Sequence, residues 1–304
     1  MTKRLAFLLF IFLTLNTSAQ MSSFYRFDLG FNLGVSNYLG EIGGKEKTER
    51  PFVWDMKMNQ TRWAIGGFAR YKLNNYVSVR GDLIYGRIQG ADSLSTNRGR
   101  VGRNLSFRND MLEFSGRAEV YIYNSNDVGG RGWYRIDFKS YAFAGVGGVL
   151  HGPKALYQGE WQKLRPLETE GVKYGKVTVC MPVGLGLFFT YKRIHRFGWE
   201  MGWRLTFTDY LDDISTVYAD PSTLGSPMAI DLANRSGELT DAQRPGLANY
   251  SPGSKRGDSS DNDTYFYSTF SYSYVFRGRN PFYTQHYSWI GGRKGKRNIG
   301  RVKF

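Results

Sequence analysis

The stretch RWAIGGFARYKLNNYVSVRGDLIYGRIQ, residues Arg62–Gln89, decides the fold. Trp63, Ile65, Ala69, Tyr71 and Leu73 share one parity, and Arg62, Arg70 and Lys72 take the other. Successive side chains of a strand point to opposite faces, so this half is an extended arm with one apolar and one charged face. Asn74-Asn75 interrupts it, and both residues tolerate the left-handed backbone of a tight hairpin. Val77, Val79, Leu83 and Tyr85 then alternate with Ser78, Arg80, Asp82 and Gly86. Strands of soluble proteins usually stop near five or six residues, whereas a bilayer-crossing strand needs about nine to eleven. These arms fit the second class and predict a transmembrane barrel.

Working outward, the N-terminus reads as a secretory signal. Lys3 and Arg4 precede the apolar run Leu5–Leu15, and Thr17-Ser18-Ala19 supplies small residues for cleavage after Ala19. An uncleaved anchor is the rival reading, but the apolar run is short for a span. No later run approaches about twenty apolar residues, which excludes a helical membrane protein. The chain is 16% aromatic with 37 glycines, which suits the aromatic girdles and strand curvature of a barrel. Composition alone also admits a soluble β-sandwich. Cys180 is the one cysteine, so an exported chain has no internal disulfide framework. We read it as a small filler within a strand. Loss of Lys3 and Arg4 lowers the formal charge from +15 to +13. Export argues against nucleic acid as the partner of that charge; anionic headgroups or an acidic protein fit better.

The same alternation predicts the other strands. The first begins near Phe27, with Leu29, Phe31, Leu33 and Val35 opposite Asp28 and Asn32. The fourth is Asp110–Tyr123, the fifth Asp137–Leu150, the sixth Val177–Tyr191, the seventh Phe197–Tyr210 and the eighth Thr264–Phe276. The fold class is therefore all-β: an eight-stranded antiparallel outer-membrane β-barrel. Long polar loops connect strands at one end, up to Leu211–Asp263, and shorter turns at the other, as in bacterial outer-membrane barrels with long loops outside. Both termini then lie in the periplasm. The domains are a signal peptide (1–19), a barrel (20–278) and a basic, aromatic periplasmic tail (279–304).

Eight strands leave an interior that side chains just fill. The inward parity carries Asp28, Arg80, Asp82, Glu113, Arg117, Glu119, Glu200 and Arg204. Mixed signs at that density predict an ion-paired plug; the rival is a narrow wet pore. Trp63, Trp199, Trp203, Tyr272 and Tyr274 are expected to face lipid. No nucleophile stands in a motif with His151, His195 or His286, so no catalytic residue, metal or cofactor is expected. Asp258, Asp261 and Asp263, with Asp212, Asp213 and Asp220 nearby, carry oxygens that calcium could use, but their spacing is not that of an EF-hand, and a solvated acidic turn is the preferred reading. Asp92-Ser93-Leu94 has the form of an O-glycosylation acceptor.

The tail holds Arg279, Arg293, Lys294, Lys296, Arg297, Arg301 and Lys303 with no acid, interleaved with Phe282, Tyr283, Tyr287 and Trp289. A tail needing only charge for a leaflet would not require four aromatics, so it reads as a docking segment for a periplasmic partner.

Three runs resemble the PorG-like outer-membrane barrels of Bacteroidetes: Gly34-Val-Ser-Asn-Tyr-Leu-Gly-Glu-Ile-Gly-Gly44, Arg103-Asn-Leu-Ser-Phe-Arg-Asn109 and Tyr210-Leu-Asp-Asp-Ile-Ser-Thr-Val-Tyr-Ala-Asp220. They span most of the mature chain in the same order. The resemblance implies a structural, non-enzymatic component of type IX protein secretion. In that reading the barrel ties a periplasmic ring, built from a lipoprotein and its partner, to the outer membrane or its translocon. A barrel whose long loops bind a ligand, host surface or polysaccharide is the second reading, and a membrane enzyme or narrow channel the third.

Overall fold

The computed structural model describes residues 26–42, 58–126, 128, 136–240 and 249–276. The signal peptide, His286 and the tail from Arg279 to Phe304, with all its proposed partner-binding residues, lie outside the described residues.

Eight strands close a single antiparallel meander: β1 (Phe27–Leu39), β2 (Arg62–Lys72), β3 (Val77–Ala91), β4 (Ser106–Ser125), β5 (Ile136–Leu150), β8 (Val177–Tyr191), β9 (His195–Thr206) and β10 (Thr264–Phe276). Closure comes from the ladder between β1 and β10, running from Phe27 opposite Phe276 to Leu39 opposite Thr264. Closure leaves none of these eight strands at a sheet edge. Phe27 and Phe276 sit at the short-turn end.

Alternation sorts the side chains as the sequence predicts. Phe31, Leu33, Leu83, Phe114, Val146, Leu185 and Phe270 point outward and are exposed, while Asp28, Asn32, Asp82, Glu113 and Thr269 point inward and are buried. So many large exposed hydrophobics on a closed barrel need lipid around them. Of the aromatics expected to face lipid, Trp63 and Tyr274 are exposed. Trp199, Trp203 and Tyr272 are partly covered by Phe270, Phe266 and Phe197.

Several boundaries differ from expectation. β4 extends to Ser106–Ser125, because β3 continues pairing with it to Ala91 opposite Ser106. β9 begins at His195, expected in the turn, and stops at Thr206. Lys192 and Arg193 both adopt positive φ, which tightens that turn and lets His195 pair with Tyr191 and Tyr274. Asn74 and Asn75 do not take left-handed backbone. Instead Asn74 Oδ1 accepts from the amides of Tyr76 (2.8 Å) and Val77 (2.7 Å), so the side chain itself closes the turn.

The long loops are not featureless. The segment 151–176 contains a hairpin, β6 (Pro153–Tyr157) and β7 (Glu160–Lys163), whose first strand pairs with the upper end of β4. The segment 92–105 contains helix α1 (Arg98–Arg103), and 207–263 contains helix α2 (Pro227–Ala233), capped by Ser226. Leu211 and Ile214 from the longest loop enter the barrel mouth and pack with Ile42, Ile88, Leu105, Phe107, Met111, Cys180 and Tyr265. Cys180 is fully buried in that cluster.

Candidate functional site

Two buried polar assemblies occupy the barrel. One fills the lumen and the other caps the long-loop end.

In the lumen, Arg70, Arg80, Arg117, Arg196 and Arg204 meet Asp28, Asp82, Glu113, Glu119 and Glu200. Arg117 forks onto Glu200 with two bonds of 2.6 Å and reaches Asp82 at 3.1 Å. Arg80 bonds Asp82 at 2.7 Å, Asn32 at 3.1 Å and Glu200 at 3.2 Å. Arg70 joins Glu119 (2.7 Å) to Asp28 (3.3 Å), and Arg196 adds a second guanidinium on Asp28 at 2.7 Å. Arg204 sits on Glu113 at 3.3 Å, which also accepts from Tyr265 and Ser115. All eight interior charges read from the sequence are therefore buried here. Arg70 and Arg196, which complete the set, were left out of that reading.

The reading also missed the rings between the charges. Arg80 lies 3.6 Å above the Phe68 ring, Arg117 4.2 Å above Phe143, Arg196 4.4 Å above Phe188 and Arg204 4.6 Å above Tyr267. Desolvated cation–π contacts of this kind contribute up to about 2 kcal/mol each. Two inward glycines make the room. A Cβ on Gly202 would come within 2.7 Å of the Phe143 ring, and one on Gly86 within 2.8 Å of the Tyr267 hydroxyl. Inward aromatics on the same parity as arginines, such as Phe68 beside Arg70, were the available signal.

The cap brings together the three runs quoted above. Tyr38 of the first run donates to Asp212 of the third at 2.8 Å, and also to Asp263. Arg103 of the second run forks onto Asp92 at 2.7 and 3.0 Å and lies 3.6 Å from Glu41 of the first. Asn109 donates to the Leu211 carbonyl at 2.8 Å. Arg256 binds Glu170 at 2.8 Å and the Asp213 carbonyl at 2.6 Å, and Glu170 in turn accepts from the Thr216 amide at 2.9 Å. Asp213, at φ 72°, accepts from Thr169 and Tyr174, each at 2.5 Å.

Of the acids considered for calcium, Asp212 and Asp263 meet on Tyr38, and the others do not join them. Asp258 is exposed and paired with Lys255 at 2.5 Å; Asp263 turns into the cap and accepts from the Leu211 amide at 2.8 Å. Asp220 caps the turn at Ser222. Among the described residues no His, Cys, Asp and Glu group has metal-binding geometry. In the Asp92-Ser93-Leu94 run, Asp92 is buried on Arg103 while Ser93 remains exposed. His151 is buried at the long-loop end; His195, at the short-turn end, bonds the Tyr272 hydroxyl at 2.9 Å.

Residues 2–223 match the family model of a domain of unknown function, DUF6089. The chain belongs to that family. Much of the cap, including Tyr38, Arg103, Asp212 and Asp213, falls inside the DUF6089 match; Arg256, Asp263 and β10 lie beyond it. No curated protein matches the sequence. Among solved structures, this DUF6089 chain is similar to the N-terminal β-barrel domain of Pseudomonas aeruginosa OprF, at 9% identity and a TM-score of 0.35, covering 84% of this chain and 100% of that one. It is similar to Ail, the attachment invasion locus protein of Yersinia pestis, at 10% identity and 0.33, covering 83% and 99%. Acinetobacter baumannii CarO2 follows at 11% and 0.21, covering 81% and 98%.

Proposed function

We propose that this chain is a structural, non-enzymatic outer-membrane component of type IX protein secretion. It ties a periplasmic ring, made of a lipoprotein and its partner, to the outer membrane or the translocon. The observation that supports this reading is the filled barrel: paired charges and stacked rings occupy the lumen, and loops packed around Leu211 and Ile214 occupy its mouth. Such a barrel offers fixed placement in a bilayer rather than passage. The first barrel strand starts and the last one finishes on the short-turn side, at Phe27 and Phe276, and the basic, aromatic segment Arg279–Phe304 follows β10 in the sequence. The three runs of family resemblance supply the secretion context.

Cross-linking and pull-down from native envelopes tests this, comparing the full chain with one ending at Gly278. The full chain is expected to recover a periplasmic lipoprotein ring and the shortened chain to lose it. A clean gene deletion should trap secreted cargo within the cell; normal secretion would remove the proposal. A second reading, a surface barrel that recognises a ligand or polysaccharide, is favoured by the folded cap, since an ordered loop surface can present a site. Replacing the loop Leu211–Asp263 would then abolish binding and leave secretion intact.

A further inference from the structure

The outer face changes character abruptly at the long-loop end of β3 and β4. Across that ladder Leu83 stands opposite Phe114 and Tyr85 opposite Leu112; the next outward pairs are Arg87 with Asp110 and Gln89 with Arg108. Apolar wall gives way to charge within one pair, and aromatics mark the level. Trp63 packs on Tyr85 with ring centroids 5.3 Å apart, Arg87 lies 5.6 Å from the Trp63 ring, and Arg108 lies 5.0 Å from the ring of Trp161 on β7. Aromatic rings with basic heads at one height are the signature of a membrane–water boundary.

A cleft of about 260 Å³ opens at this boundary, beneath the β6–β7 hairpin. Its floor is the lipid-facing wall of Tyr85, Leu112 and Leu150, and its sides are Lys154, Lys163, Arg165 and Lys176, with Asp110 as the one lining acid. Asp110 is already saturated, by Arg87 at 2.6 Å, Lys154 at 3.3 Å and Arg108 at 3.4 Å. Lys163, Arg165 and Lys176 have no ion pair among the described residues. Uncompensated cations thus face a cleft whose other wall is in the hydrocarbon. Only an amphiphile with an anionic head satisfies both walls.

We infer that this cleft binds the phosphate of an anionic lipid in the leaflet at the long-loop end, with Lys163, Arg165 and Lys176 on the phosphate and Leu112 and Leu150 against the acyl chains. The lipid then clamps the β6–β7 hairpin, and the cap above it, to the membrane surface. Each basic side chain near an anionic surface strengthens attachment severalfold. The inference needs the barrel in a bilayer but no ring partner, so failure of ring capture leaves it standing.

The test uses the purified full chain in nanodiscs and measures retention of a bisphosphorylated glycolipid against its dephosphorylated counterpart by lipid mass spectrometry. The phosphorylated lipid is expected to be enriched at least tenfold. The K163Q/R165Q/K176Q variant should lose that preference, while K192Q/R193Q, which removes charge at the short-turn end, should keep it. Equal retention of both lipids by the unmodified chain overturns the inference, whether or not the triple variant folds. So does equal loss in the two variants, which would mean unspecific charge. Competition by inorganic phosphate at millimolar concentration, displacing the lipid completely, would make the site one for free phosphate and overturn the lipid assignment.

Discussion

The lumen and the cap both bury charge, but they balance it differently. In the lumen each of Asp28, Asp82, Glu113, Glu119 and Glu200 has a guanidinium of its own among Arg70, Arg80, Arg117, Arg196 and Arg204. In the cap, Glu41, Asp92, Glu170, Asp209, Asp212, Asp213 and Asp263 are all buried, and the buried arginines that meet them there are Arg103 and Arg256. The lumen is a neutral lattice. The cap carries a surplus of acid, held by protons and by hydroxyl and amide donors. Burial, reinforced by Asp212, Glu41 and Glu170, pushes Asp209 up to about 9. Burial outweighs Arg256 and raises Asp213 to about 6. Asp212 and Asp263 are also raised, by burial and by neighbouring carboxylates. One region should therefore resist pH and the other respond to it.

The largest expected effect breaks the lattice. Arg117→Ala leaves Glu200 and Asp82 to share Arg80 alone, one buried positive charge short, and should cost about 3–5 kcal/mol of unfolding free energy in lipid, read by urea titration. A loss below about 1 kcal/mol would mean that water screens the lumen and the contrast with the cap is false.

The next concerns pH. Asp213 and Asp209 bind protons more tightly folded than unfolded, so their contribution is fully present below about 4, their unfolded range, and is lost as pH rises through about 6 for Asp213 and then about 9 for Asp209. Between pH 5 and pH 9, exchange of the Leu211 amide, corrected for chemical exchange, should quicken at least tenfold. Lumen amides such as that of Arg117 should not follow. Matching acceleration in both regions would erase the distinction.

Tyr38→Phe removes the donor shared by Asp212 and Asp263 and should loosen the cap by about 1–2 kcal/mol. Protease nicking in the segment 207–263 reads this out. Asp258→Asn sits on the cap's exposed rim, where its pair with Lys255 contributes less than about 1 kcal/mol. Its thermal midpoint should barely move.

The barrel was legible because a two-residue period survives in every strand: Asp28 and Phe31 need no tertiary information to be assigned to opposite faces. Edges of strands were less legible. β4 continues past Asp110 through Arg108 and Ser106, residues that composition assigns to a loop, because hydrogen bonds to β3 outlast the apolar pattern. The β6–β7 turn did have a local signal, Gln158-Gly159, which adopts φ 50° and 88°, but it lay within a polar segment. The lumen acids were readable by parity, whereas Arg196 was hidden by its place beside a turn. Nothing local shows that Tyr38 meets Asp212 or that Arg103 meets Glu41. Those contacts depend on loops converging from four connections, which periodicity does not encode.

The seam between β1 and β10 has a consequence for the order of events in folding. Its thirteen residue pairs join the first strand of the barrel to the last, and closing so long a loop costs about 5 kcal/mol of chain entropy by logarithmic scaling. The gain comes only with β10, so until Thr264–Phe276 has been delivered, β1 and β9 each keep an open edge that any neighbouring chain could take. Synthesis from the N-terminus leaves that vulnerability to the end. Biogenesis must shield two complementary edges in the same molecule, and the arrival of β10, rather than the assembly of the seven strands before it, sets when insertion can finish.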